Sequence, residues 1–124
     1  MRSVKDFEFD DLQGLVRCGH GELEETCFLL LNITEVKAAR LWIQSAPFTN
    51  ATSYQHECAL QIAFSVEGLR TLELNELYID GFSDEFITGM SGDESRSRRL
   101  GDIANNSPEL WDWGGDIKKI PHIT

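Results

Sequence analysis

The sequence has no apolar run that could cross a membrane: its longest, Cys27 to Leu31, spans five residues, where a membrane helix needs about 20. Positive charge is scarce. Eleven Lys and Arg stand against 21 Asp and Glu, giving a net charge of -10. Such a surface repels phosphate backbones, and the one basic cluster, Arg96, Arg98 and Arg99, sits beside Asp93 and Glu94, so nucleic acid is a poor partner. Cysteine is sparse too: Cys18, Cys27 and Cys58 form an odd set without paired spacing. That argues against a disulfide framework and reads as buried or free thiols in a reducing compartment. The N-terminal stretch Met1 to Asp11 has no apolar signal region, and a cytoplasmic address is expected by default. There is no glycine-rich phosphate loop, which leaves nucleotide binding without support. The Asn-x-Ser/Thr triplets at Asn32, Asn50 and Asn105 match a glycosylation acceptor and, without a secretory signal, are read as chance.

What is present suits a folded chain. The hydrophobic fraction of 41% and charged fraction of 26% are ordinary globular usage. A chain of 124 residues is the size of one domain with one core, burying about two thirds of its unfolded surface.

Residues 1–26, punctuated by Gly14, Gly19 and Gly21, read as an irregular lead-in that packs over something, and residues 27–124 as the domain proper. Cys27 to Ile33 is a near-continuous apolar run, the pattern of a strand covered on both faces. Thr34 can cap a helix in which Val36, Ala39, Leu41 or Trp42 and Ile43 recur at helical spacing, and which stops before Pro47. Phe48 to Thr52 is at most an edge strand. Cys58 to Ser65 alternates, with Leu60, Ile62 and Phe64 on one face, as a strand does. Ser65 then caps a second helix over Val66 to Leu72. Short helical turns follow, broken at Gly81 and Gly89. Ser91 to Ser97 reads as a polar loop, Ser107-Pro108-Glu109 as a helix start, and the region from Pro121 as the beginning of a last strand. The order is that of a ferredoxin-like βαββαβ unit, an α+β fold, with its final strand truncated or only just begun.

Candidate chemistry is thin. Cys18-Gly19-His20 and His56-Glu57-Cys58 together hold the four ligand types of a tetrahedral zinc site, but neither pair has the spacer usual for structural zinc. Buried thiols and surface histidines are the plainer reading. Cys27 and Cys58, which open the two apolar strand patterns, are expected to be buried, and Cys18 accessible. No feature of the sequence sets His20, His56 or His122 beside a nucleophile. The paired acids Asp10-Asp11, Glu24-Glu25 and Asp84-Glu85 read as solvated. Trp111 and Trp113 could stack on a ligand, and are read instead as anchors for their segment. No catalytic, cofactor-binding or metal-binding residue is assigned.

The ordered landmarks resemble the N-terminal region of a dye-decolorizing-type haem peroxidase. They are Asp11-Leu12-Gln13-Gly14-Leu15-Val16 with Gly19 to Gly21, Phe28 to Thr34 leading into Ala38-Ala39-Arg40-Leu41-Trp42, and Ile62-Ala63-Phe64-Ser65-Val66-Glu67-Gly68-Leu69-Arg70-Thr71-Leu72. Phe82-Ser83-Asp84-Glu85-Phe86 with Gly89-Met90, Arg99-Leu100-Gly101-Asp102 and Ser107 to Gly114 complete the series. The resemblance covers nearly the whole chain and implies a much longer oxidoreductase that uses hydrogen peroxide, built from two ferredoxin-like domains that hold haem b between them. It also implies that the distal aspartate, distal arginine and proximal histidine lie outside the region matched. Leu77-Tyr78-Ile79-Asp80-Gly81 only imitates the family's Gly-x-x-Asp-Gly motif, so Asp80 is a decoy. The chain on its own is then expected to bind no haem, and its partner to be the missing C-terminal half of the peroxidase. The alternative is a free-standing ferredoxin-like association module without enzymatic activity that pairs with itself as a homodimer.

Overall fold

The structure, a computed structural model, describes residues 7–17, 19–52, 57–116 and 119–124. Among them are six α-helices: α1 Gly14–Arg17, α2 Val36–Ser45, α3 Val66–Thr71, α4 Glu76–Ile79, α5 Asp84–Thr88 and α6 Glu94–Leu100. Three 3-10 turns, Phe9–Asp11, Ala104–Asn106 and Pro108–Leu110, accompany them. The chain divides into two compact units, one of Met1–Phe28 and Gln44–Ile62, the other of Leu29–Ile43 and Ala63–Thr124.

In the first unit α1 has four residues, too few to persist on local bonding alone, and it is held from outside. The Gly14 N–H donates to the Thr49 carbonyl at 2.9 Å, and the Ala51 N–H lies 2.8 Å from the Leu12 carbonyl and 3.0 Å from that of Phe9. Arg17 Nη1 donates to the Ala51 carbonyl at 2.6 Å, with its guanidinium 4.1 Å above the Phe9 ring, a cation–π contact. Ala51 is wholly buried at this junction. A Cβ at position 14 would stand 3.0 Å from the Asn50 carbonyl oxygen and 3.2 Å from His20 Cε1, so a larger residue there needs its neighbours to give by a few tenths of an ångström. The Gln13 amide grips Ile62 in both senses: Nε2 donates to the Ile62 carbonyl at 2.8 Å and Oε1 accepts from the Ile62 N–H at 2.7 Å.

The second unit has Val66, Ile79 and Ile123 as its buried apolar residues. Ser65 caps α3, its Oγ accepting from the Gly68 N–H at 3.0 Å. Asn75, Ser83 and Asp93 cap α4, α5 and α6 in the same manner, each satisfying an N–H that a helix start leaves open. Gly101, at φ 86, closes α6 in the left-handed conformation that suits glycine. Arg70 ties α3 to α4 through Glu67 at 2.9 Å and Glu76 at 3.4 Å, and Arg40 of α2 reaches the Leu72 carbonyl and Glu73. The segment 121–124 lies against α3 so closely that a Cβ on Gly68 would be 2.0 Å from the His122 carbonyl oxygen.

The α+β ferredoxin-like expectation, including its truncated final strand, is corrected by this architecture. Among the described residues there is no strand, only the isolated antiparallel bridges Gln13↔Asn50, Leu31↔Ile123 and Phe64↔Ile123. Leu31 exchanges bonds with Ile123, and Ala63 with Thr124 at 2.7 and 2.9 Å, but neither pairing continues into the repeated register that makes a ladder. The alternation in Cys58 to Ser65 is genuine, yet the backbone partners of that stretch are the Gln13 side chain at Ile62, Thr49 at Leu60 and the segment 122–124. Nor is Cys27 to Ile33 covered on both faces: Phe28 is 78% exposed and Leu31 38%. Ser91 to Ser97, expected as loop, contains the Asp93 cap and opens α6.

Candidate functional site

The sequence-flagged groups are scattered. Cys18 and His56, half of the conceivable zinc set, lie outside the described residues. Cys27 and Cys58 are free and exposed, which corrects the expectation that both are buried: the apolar runs they open are not packed between layers. Asp10 and Asp11 sit in the first 3-10 turn, Asp84 and Glu85 in the first turn of α5, and all four, with Glu24 and Glu25, are exposed. Asp80 ends α4 as its C-terminal cap and is exposed. Trp111 is half-buried and donates from Nε1 to the Asn106 carbonyl at 3.0 Å, acting as an anchor, whereas Trp113 is exposed.

The two described histidines are both engaged. In the first unit, Gln61 Nε2 lies 3.1 Å from His20 Nε2 and donates to the Thr49 carbonyl at 3.2 Å. The direction of the Gln61–His20 bond depends on which ring nitrogen, Nε2 or Nδ1, carries the proton. That Nδ1 and Gln61 Oε1 are buried without a hydrogen-bond partner among the described residues. In the second unit, His122 Nδ1 accepts from the Ile33 N–H at 2.9 Å, so this ring is a tie between two segments.

A cleft of about 480 Å³ beside α6 is lined by Glu94, Ser97, Arg98, Asp102, Ser107 and Glu109, among others. Ser107 holds the Glu109 carboxyl below the usual carboxylate range by donating a hydrogen bond to it. The Arg96 N–H does the same for Asp93, against a weaker opposing effect of desolvation. The guanidiniums of this region are committed locally: Arg98 to Glu94 and Arg96 to the Gly89 carbonyl and, at 3.2 Å, the Thr88 hydroxyl. Arg98 is held more firmly protonated by its bond to Glu94.

The residues described do not fit haem b. Sites for cofactors of this size are mostly apolar slots with a few placed polar groups, and this cleft is ringed by carboxylates and hydroxyls. His20 is turned into Gln61, and His122 into the backbone of Ile33. Among the described residues no three His, Cys, Asp or Glu converge as a metal-binding group, and no helix is long and apolar enough to cross a membrane. Gln13 and Gln61, the side chains that organise the first unit, were not singled out in the sequence, and no local pattern marks them.

The feature with the clearest chemical consequence is the apolar strip Phe28-Leu29-Leu30-Leu31, every residue of which is exposed. Exposed apolar surface of this kind marks an interaction site more often than chance. No protein-family model, no curated protein and no solved structure matches the chain.

Proposed function

We propose that this chain is the N-terminal part of a dye-decolorizing-type haem peroxidase, serving as framework and not as a source of haem ligands. The ordered series of motifs from Asp11 to Gly114 supports the reading. The engagement of His20 by Gln61 and of His122 by Ile33 agrees with ligands and catalytic groups supplied by another part of the polypeptide. A cytoplasmic setting belongs to the same reading, supported by the free thiols of Cys27 and Cys58, which suit a reducing compartment. The test is recombination with the C-terminal half of a family peroxidase, followed by haemin titration and a peroxide-dependent dye assay. The mixture should develop a sharp Soret band and turnover that neither part has alone. A Soret shift from this chain by itself, lost on His20→Ala or His122→Ala, would place a ligand here and overturn the framework role; so would failure of the two parts to associate.

A second reading, an association module without enzymatic activity, is favoured by one observation, the uncovered strip Phe28 to Leu31. It is distinguished by stable assembly with no dependence on haem.

A further inference from the structure

The segment Leu29 to Ile33 is bonded along one side only. Leu31 donates to the Ile123 carbonyl at 2.9 Å and accepts from the His122 and Ile123 N–H groups at 2.9 and 3.1 Å, while the Ile33 N–H goes to His122 Nδ1. In a chain paired in this way, alternate residues turn their N–H and C=O to opposite edges. The backbone groups of Leu30 and Asn32 therefore face away from the segment 122–124, and none of them has a hydrogen-bond partner among the described residues. Leu29, Leu30 and Leu31 are 60%, 43% and 38% exposed. Open backbone beside exposed leucines is a template for an added strand.

We infer that this edge takes an extended apolar segment flanked by basic residues, supplied by another polypeptide. Charge selects the occupant. In the sequence Glu25 precedes Leu30 by five residues, with Glu24 before it, and Glu35 follows by five, inside a chain of net charge -10. At about 3.3 Å per extended residue, these carboxylates are no more than about 20 Å along the chain from Leu30. A second copy is disfavoured: an antiparallel pair with Leu30 opposite Leu30 would bring Glu25 against Glu35 and double a strong negative charge. Lysine or arginine at both ends of the incoming segment turns that repulsion into attraction, which sets partner choice and association rate. The inference needs only the open edge and stands apart from the peroxidase reading.

The probe is a fluorescent peptide of alternating valine and threonine with paired lysines at each end, compared with the same peptide ended by glutamates. Anisotropy should show the lysine form binding ~10-fold or more tightly, weakening from about 0.01 M to about 1 M salt as the Debye length contracts. Leu30→Pro, which removes an outward N–H that the fold does not use, should abolish binding. Amide exchange of the unaltered chain supplies a readout free of any folding effect: the Leu30 and Asn32 amides should slow when peptide is added. Equal binding of the two peptides, or unchanged exchange at those amides, would overturn the proposal. So would light scattering that shows the chain dimerising alone with the same two amides protected, because the occupant would then be a second copy.

Discussion

Replacing Gly68 by alanine sets two effects against each other. In the middle of a helix this exchange ordinarily stabilises by about 1 kcal/mol, because glycine gives up more backbone freedom on folding. At position 68 the new methyl would meet the His122 carbonyl oxygen at 2.0 Å and its carbon at 2.8 Å, where carbon needs about 3.5 Å. The obstacle is backbone, so the segment 121–124 must retreat by about 1.5 Å. That displacement breaks the bonds that meet at His122: Ser65 N–H to the His122 carbonyl at 3.2 Å, His122 N–H to the Leu31 carbonyl at 2.9 Å and Ile33 N–H to His122 Nδ1 at 2.9 Å. At about 1 kcal/mol each they are worth about 3 kcal/mol, so Gly68→Ala should destabilise the second unit by about 2 kcal/mol once the helix gain is set against the loss. Urea unfolding followed by far-ultraviolet circular dichroism gives the number. The decisive comparison is the same substitution in a chain lacking Pro121 to Thr124, where the obstacle is gone and the sign should reverse to about 1 kcal/mol of stabilisation. If alanine stabilises the complete chain, or if its effect is the same with and without those four residues, the packing of α3 against His122 is not as described.

Two further outcomes are expected. Asp93 has a carboxyl held below its ordinary range by the Arg96 N–H that it caps, so it stabilises α6 at pH above the unfolded value of about 4, and that contribution disappears as pH falls through the lower folded value. Amide exchange at Arg96 should accelerate over that acid window, and Asp93→Asn, a cap that does not titrate, should flatten the response; an unchanged profile in the asparagine variant would remove Asp93 as its cause. With Cys18 replaced by serine, Cys27 and Cys58 should both react with a thiol reagent under native conditions at close to their unfolded-state rates, and ~10-fold protection of Cys27 would show that its segment is covered after all.

The helices were legible where their caps are local. α3 begins after Ser65 as the side chain–backbone rule requires, and α2 ends short of Pro47. The same logic would have exposed α6, since Asp93 stands three residues before the N–H it caps and Gly101 closes the other end; the polar composition between them hid a helix that needs only one buried residue, Ser97. The strands misled for a different reason. Alternation at Leu60, Ile62 and Phe64 and the run from Cys27 to Leu31 show what kind of surface those residues would suit, and strand preference is largely a statement about neighbours. Those neighbours are not in the sequence pattern, and here they are a glutamine side chain, Thr49 and the three residues 122–124. The exposure of Cys27 and Cys58 follows from the same absence of covering layers. Of the candidate site, the free apolar run was visible as composition, but its one-sided bonding depends on Ile123 and His122, some ninety residues away, and had no local signature.

The pair of hydrogen bonds between Gln13 and Ile62 bears on how the first unit tolerates change. A conventional ladder is blind to sequence, since every residue except proline brings the same N–H and C=O, and drift along such a strand leaves its bonding intact. Where a side-chain amide stands in for a strand, that indifference is lost. The register of Ile62 is encoded at a single position, one nucleotide change from His, Glu, Leu or Lys, none of which presents a donor and an acceptor at the spacing of a peptide group. Inheritance of this local geometry therefore hangs on one codon and not on a pattern.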